Sequence, residues 1–259
     1  MKKSFIIILF LAIVQLAKAQ TSTLEQADSA YTADNYAQAA ELYLKVINEE
    51  GTSSKILYNL GNSYFKLGEM GNAILAYERA LRLDPSDKDI KNNLEFVNAR
   101  ITDRPGERGT FVENALDAFS ASMMSNTWAW IAFACFVLTL AGILAYLFVN
   151  SIAVRKLGFF GGIVTFIVMC CAIFFAFRSE AICMADNVAI ITSPSTILST
   201  APRAPQDRNQ EAMLLHEGTK VTILDSVSST VDSVRSVWYD VQIDNAHRAW
   251  INGRDIEKI

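Results

Sequence analysis

Two stretches of this chain lack charge altogether. Trp128–Val149 and Leu157–Phe177 contain no Asp, Glu, Lys, Arg or His, and each, at about twenty residues, is helix enough to cross a hydrocarbon core of roughly 30 Å. A helix satisfies its own backbone where water cannot, so lipid is favoured over a pair of buried helices in a large soluble core. The same absence argues against a pump or proton carrier, which needs ionisable groups at depth. Histidine is scarce too. His216 and His247 are the two present, and neither has a Cys or His at metal-ligand spacing. No G-x-S-x-G elbow, H-E-x-x-H helix or Walker loop occurs. The expectation is therefore no enzyme, no metal site and no cofactor. Of four cysteines, Cys135, Cys170 and Cys171 fall inside the apolar runs as small packing residues, and Cys183 lies just outside with no partner in the soluble parts.

Between the two runs lie Asn150 to Lys156, so the helices must return side by side as a hairpin. That connection carries Arg155 and Lys156 and no acid, and short basic loops stay in the cytoplasm. At the other ends Glu113 and Asp117 precede the first span, and Arg178, Glu180 and Asp186 follow the second. An even number of spans puts both soluble parts on one side, here the periplasmic side of a bacterial inner membrane. The N-terminus agrees. Lys2 and Lys3 precede the apolar run Phe5–Leu16, and Ala17-Lys18-Ala19 offers small residues to a signal peptidase. Residues 1–19 are expected to be a signal peptide, with Gln20 the first mature residue; an uncleaved anchor would leave the next segment on the same side. No cysteine follows the run, which excludes a lipoprotein anchor. Removing the three leader lysines takes the formal charge from −4 to −7, and an acidic exported chain is a poor binder of nucleic acid.

Residues 20–100 carry an internal repeat. Leu57, Leu60, Gly61, Tyr64, Ala73, Tyr77, Ala80 and Pro85 follow the spacing of a tetratricopeptide repeat, with Leu57 in place of Trp and Tyr77 in place of the usual Phe. Gly61 and Ala73 are small where two helices must cross closely, and Leu60, Tyr64 and Tyr77 fill the space between. The pattern recurs more weakly 34 residues earlier, where Ala27, Ala39, Tyr43 and Gly51 stand for Gly61, Ala73, Tyr77 and Pro85. Ser86 is placed to cap a closing helix with Asp89 at its third position, and Ile90, Leu94, Val97 and Ile101 share one face. On the second repeat Tyr58, Asn59, Asn62, Phe65 and Lys66 are the candidate partner-binding groove. Asp28 holds the place equivalent to Asn62, and its charge would repel a terminal carboxylate, so no carboxylate clamp is expected.

Arg104-Pro105-Gly106 breaks the helical pattern, and residues 101–127 read as a linker and an amphipathic juxtamembrane helix. Phe111, Val112, Ala115, Leu116, Phe119 and Met123 share a side, suited either to the membrane surface or to docking on the repeats. Trp128 and Trp130 suit the lipid interface. Within the hairpin, 128–177, Gly158/Gly162 and Ala141/Ala145 form small-xxx-small pairs that permit close approach.

From residue 185 to 259 the chain turns to short Val-, Ile-, Ser- and Thr-rich runs, Val188–Thr192, Lys220–Asp225, Tyr239–Ile243 and Arg248–Ile251, with Asp244-Asn245 opening a hairpin turn. Five or so strands suggest a small barrel. Ala185–Ile191, Leu215–Val221, Trp238–Val241 and Ala249–Ile251 resemble bacterial SH3 domains. Ala249 stands where those domains usually have Gly before the second Trp, and Ala201–Met213 and Ser226–Val237 read as long inserted loops. Both departures argue against an inherited ligand groove.

The order of parts, repeats, Ser125-Asn126-Thr127-Trp128-Ala129-Trp130, two spans and an SH3-like barrel, resembles the BatE-like proteins of the Bacteroides aerotolerance (Bat) operon family, found in Bacteroidota. That resemblance implies partners: membrane proteins with von Willebrand factor A domains, a second tetratricopeptide protein and a cytoplasmic MoxR-type ATPase. It also implies a role in aerotolerance or envelope stress. The fold expected is a multidomain membrane protein: an all-α tetratricopeptide solenoid, a two-helix transmembrane hairpin and a small all-β barrel. The function expected is a non-catalytic scaffold touching membrane lipid and partner proteins. The alternative is a wall anchor whose barrel grips peptidoglycan.

Overall fold

The computed structural model describes residues 22–103, 109–231 and 234–259; the expected signal peptide and the Arg104–Gly106 break lie outside them. Five helices come first, α1 (Thr23–Thr32), α2 (Tyr36–Glu50), α3 (Ser54–Leu67), α4 (Met70–Leu83) and α5 (Lys88–Asn98). A short α6 (Phe111–Ser120) leads into α7 (Ser125–Phe148) and α8 (Ile152–Cys183). Seven strands follow among the described residues: β1 (Val188–Ile191), β2 (Ser195–Ser199), β3 (Glu211–His216), β4 (Lys220–Val231), β5 (Val234–Gln242), β6 (Arg248–Asn252) and β7 (Ile256–Lys258).

Local chemistry starts and stops the helices. Ser22 caps α1 in a reciprocal box with Glu25, and Asn35 and Ser53 cap α2 and α3 by accepting from Gln38 and Ile56 N–H. Gly68 ends α3 in the left-handed region at φ +84°. The cap of α5 is Asp87 and not Ser86. Its carboxylate accepts from Asp89 and Ile90 N–H, where negative charge also suits the helix dipole, while Ser86 turns its hydroxyl back to Asp84. Ile90, Leu94 and Val97 then bury one face of α5 against α4.

The connection between α7 and α8 is shorter than the apolar pattern suggests. Helix resumes at Ile152, so Arg155 and Lys156 are the fourth and fifth residues of α8 and not part of a loop. Arg155 Nε donates to the Tyr146 carbonyl across the turn at 3.1 Å. The close crossing uses Gly142 in place of Ala141. A Cβ on Gly142 would lie 2.7 Å from the Gly158 carbonyl, and one on Gly158 would lie 2.6 Å from the Gly142 carbonyl. Backbone meets backbone there, and Ala141 points outward. The Thr139 and Thr165 hydroxyls, 2.8 Å apart, join the helices further along.

Of the two settings open to α6, docking on the repeats is not the one found. The α6 helix packs on α8, with an Arg178–Asp117 ion pair of 2.7 Å and the Ser179 hydroxyl donating to the Met123 carbonyl. Trp128 is 7% exposed, stacked among Phe119 and Phe175, with its indole N–H on the Ser120 carbonyl. Trp130 faces outward instead, 65% exposed. The far side of α6 leaves Phe111 87% and Val112 64% exposed.

The C-terminal strands form one antiparallel sheet of order β3-β2-β6-β5-β4-β1-β7. Ala189, Leu198, Leu215, Val221, Val241, Ile251 and Ile256, one from each strand, meet in a single buried cluster, so the sheet rolls around its own core. Within the run Ser226–Val237, residues 226–231 and 234–237 are strand and not loop. They extend β4 and β5 into a long paired hairpin, because alternating Val and Ser can face two sides of a ladder. Part of the other run, Ala201–Met213, supplies the first residues of β3. Strands β2, β3 and β7 are the ones absent from the periodicity.

The repeats and the sheet are not separate bodies. Successive residues of β1 face two cores: Ala189 and Ile191 enter the sheet cluster, whereas Ile190 packs with Ile74 and Tyr77 of α4. Glu69 makes no cap bond for α4; Glu217, from the β3–β4 turn, accepts from Gly71 N–H at 2.9 Å in its stead. Along α4, Glu78 holds Lys220, Arg79 holds Glu257, and Arg82 donates to main-chain oxygens of Ala185 and Ile259. Glycine permits the approach. At Gly218, with φ +85°, a Cβ would lie 2.7 Å from Ile101 and 2.8 Å from Ile74.

Candidate functional site

Because the sheet covers the α4 side of the repeats, their open surface lies between α1, α3 and α5. A groove of about 290 Å³ runs there, lined by Tyr31, Tyr58, Asn62, Phe65, Lys66 and Phe96, with Tyr77 and Asn93 at its floor. The structure brings Tyr58, Asn62, Phe65 and Lys66 together in it. Asn59 is one turn aside, its amide 3.4 Å from the Asp28 carboxylate. Tyr31, Asn93 and Phe96 line the groove without having been singled out in the sequence. A helical wheel of α3 cannot name them, since they come from α1 and α5; the apolar positions Ile90 and Leu94, which turn another face of α5 into the core, were the available signal.

Polar groups on the floor are paired. Asn62 Oδ1 accepts from the Tyr77 hydroxyl at 2.7 Å and from the Asn93 amide at 2.9 Å, and Asn93 also donates to the Tyr58 hydroxyl at 3.1 Å. Asn62 therefore ties α3, α4 and α5 together, where the sequence offered it as an open-face contact. The first repeat repeats the device. The Tyr43 hydroxyl donates to Asp28 at 2.6 Å, 34 positions before the Tyr77–Asn62 bond. Burial pushes the Tyr43 and Tyr77 phenols well above the ordinary tyrosine range, and Asp28 adds to the effect at Tyr43. Both stay protonated donors, which fixes the direction of each bond.

The repeat signature residues lie in the cores beneath. Leu60, Ala73, Tyr77, Ala80 and Pro85 are buried, Tyr64 is half-buried, and a Cβ on Gly61 would lie 2.7 Å from the Tyr77 ring. Aromatic rings dominate the groove wall: Phe65 meets Phe96 edge to face at 5.6 Å, and Tyr31 meets Tyr36 at 5.3 Å. Lys66 and Arg100 bring positive charge to the rim, over the Tyr36 and Phe96 rings.

Nothing in the groove is arranged for bond making. His216 pairs with Asp103 and His247 with Asp244, both away from the groove. Among the described residues no three His, Cys, Asp or Glu side chains converge to hold a metal. What the groove can do is take an apolar or aromatic segment lengthwise, with an acidic group toward Lys66. No curated protein matches the chain. Residues 54–87, spanning α3, α4 and the turn to Asp87, match the family model of the tetratricopeptide repeat, a non-catalytic fold that mediates protein–protein interaction.

Proposed function

We propose that this chain is a non-catalytic scaffold of a bacterial inner membrane, with α7 and α8 crossing the bilayer and both soluble parts in the periplasm. Its groove between α1, α3 and α5 holds a segment of a partner protein. The observation that carries the reading is the placement of the sheet. It covers α4 and leaves the aromatic side of the repeats open, the side a peptide or helix would enter. Membrane crossing is supported by exposure: α7 and α8 are long and apolar enough to span, yet 11% of each apolar window is buried, unlike the core helices of a soluble protein. The orientation is supported by Arg155 and Lys156 at the hairpin turn. Resemblance to the Bat family supplies the partner classes, von Willebrand factor A domain membrane proteins, a second tetratricopeptide protein and a MoxR-type ATPase, and the setting of aerotolerance or envelope stress. Resemblance to bacterial SH3 domains is what keeps peptidoglycan as a rival ligand of the sheet.

The test uses the full chain, because ending it at residue 177 would uncover Ile74, Ile101 and the N-terminus of α4. Tagged protein purified from solubilised membranes is expected to bring down other membrane proteins of one complex, and Phe65→Ala with Lys66→Glu is expected to lose most of them. Undiminished recovery by that double variant would remove the groove from the account. Saturable sedimentation of the full chain with purified peptidoglycan, alongside undiminished recovery, would favour the wall anchor.

A further inference from the structure

Where α4, α5, the end of α6, the end of α8 and β1 meet, there is a cavity of about 350 Å³ walled by Leu81, Ala121, Ile182, Val188 and Ile259. Arg82, Lys91 and Lys220 also line it, and Glu78 is the acid on its lining among the described residues. Glu78 is already held by Lys220, with both carboxylate oxygens 2.9 Å from Nζ. Arg82 donates to the Ala185 carbonyl and to a backbone oxygen of Ile259, the last residue of the sequence, so its guanidinium is already engaged. That leaves the charge of Lys91 as the excess on an otherwise apolar cavity.

Its height is set by α8. Five helical residues separate Phe177, the end of the uncharged run, from Ile182, a rise of about 7.5 Å. Headgroups occupy roughly 5–7.5 Å beyond each face of the hydrocarbon core, and any tilt of α8 lowers Ile182 further into that layer. Provided that α7 and α8 cross the bilayer, as proposed above, the cavity stands at headgroup depth.

We propose that this cavity holds one anionic phospholipid of the surrounding leaflet. The phosphate lies against Lys91, and the glycerol lies against Leu81, Ala121 and Ile182. A soluble phosphate would gain nothing from the apolar walls, and a zwitterionic headgroup would bring a second cation to a place that has an excess. Such a lipid touches the repeats, the sheet and the anchor at once, and so fixes the soluble head on its membrane stalk.

The experiment is native mass spectrometry of the full chain released from mild detergent, with phosphatidylglycerol or phosphatidylcholine added at equal mole fraction. One phosphatidylglycerol is expected to stay bound, phosphatidylcholine far less. Lys91→Gln should weaken retention about 5-fold, the effect of one basic residue near a charged surface. Ala121→Trp, which fills the cavity without touching charge, should abolish it, while Lys45→Gln on the exposed side of α2 should change nothing. Melting temperatures of the variants close to that of the parent confirm that they fold. Equal retention of the two lipids, retention unmoved by Ala121→Trp, or equally tight binding of glycerol 3-phosphate would overturn the proposal. Alkaline carbonate extraction separates the two readings. Release of the full chain from membranes would overturn the anchor and the lipid site together, whereas firm membrane retention without preference for phosphatidylglycerol overturns the lipid site alone.

Discussion

Asn62 and Asp28 do the same task in successive repeats: each accepts a hydrogen bond from a buried tyrosine of the following helix. An unmade bond to such a hydroxyl costs roughly 1–3 kcal/mol. Asn62→Ala leaves both Tyr77 and Asn93 short of an acceptor and is expected to destabilise the chain by about that amount. Asn62→Asp should be tolerated, since an Asp already serves Tyr43. Thermal unfolding of the two variants in detergent checks this, and equal melting of Asn62→Ala and the parent would show that the network contributes little. Gly61 answers to sterics alone. Leu there must push the Tyr77 ring aside from a fully packed site, at a cost of roughly 1–3 kcal/mol or more; a melting temperature equal to the parent's would place that helix crossing elsewhere. The glycine was legible in the sequence because the repeat spacing demands a small residue. The Asn62 bonds were not, because Asn93 lies 31 positions away on another helix.

At the scale of elements, the segment after α5 acts as a latch between helices and sheet. Asp103 receives the His216 main-chain N–H, lies 3.1 Å from His216 Nδ1 and lies 2.9 Å from the Thr219 hydroxyl. Burial would raise its pKa, but these hydrogen bonds outweigh burial and hold the carboxyl below its usual range. The folded value is depressed, so the contribution to stability is present above the ordinary carboxylate pKa of about 3.9 and is lost as pH falls through the folded value. The difference in melting temperature between the parent and Asp103→Asn should therefore be largest above about pH 4 and shrink below it. A difference independent of pH between 7 and 3 would mean that the carboxylate charge is not what holds the latch. The β4–β5 hairpin teaches a related lesson. Ser226–Val237 looks like an insert because serine and valine mix without a strong apolar face, yet residues 226–231 and 234–237 pair arm to arm in continuous register.

For the whole molecule, the consequence of the interface is that head and stalk are built as one piece. The repeats lean on the sheet through α4, and α8 continues past its apolar run to end at Cys183, next to β1. If the hairpin turn is cytoplasmic, a membrane-impermeant thiol reagent applied from outside the inner membrane should label a cysteine at Ser228, exposed on β4, and spare one at Ser151, in the turn. The four native cysteines are replaced first. Labelling of Ser151→Cys with protection of Ser228→Cys would invert the topology.

Composition and period alone determined much of this protein. Uncharged length made α7 and α8 legible, the 34-residue spacing placed α3 and α4, and alternation marked β1, β4, β5 and β6. Each of these follows from interactions within a segment or with an adjacent one, so each leaves a regular trace in the chain. Only the tertiary structure decided which face of the repeats stays open, that Trp128 is buried between Phe119 and Phe175, and that Gly142 makes the helix crossing. These depend on contacts between residues far apart in sequence, such as Gly71 with Glu217, 146 positions on. A contact of that kind imposes no period on either partner, and it comes into being when packing selects one of several apolar faces to cover.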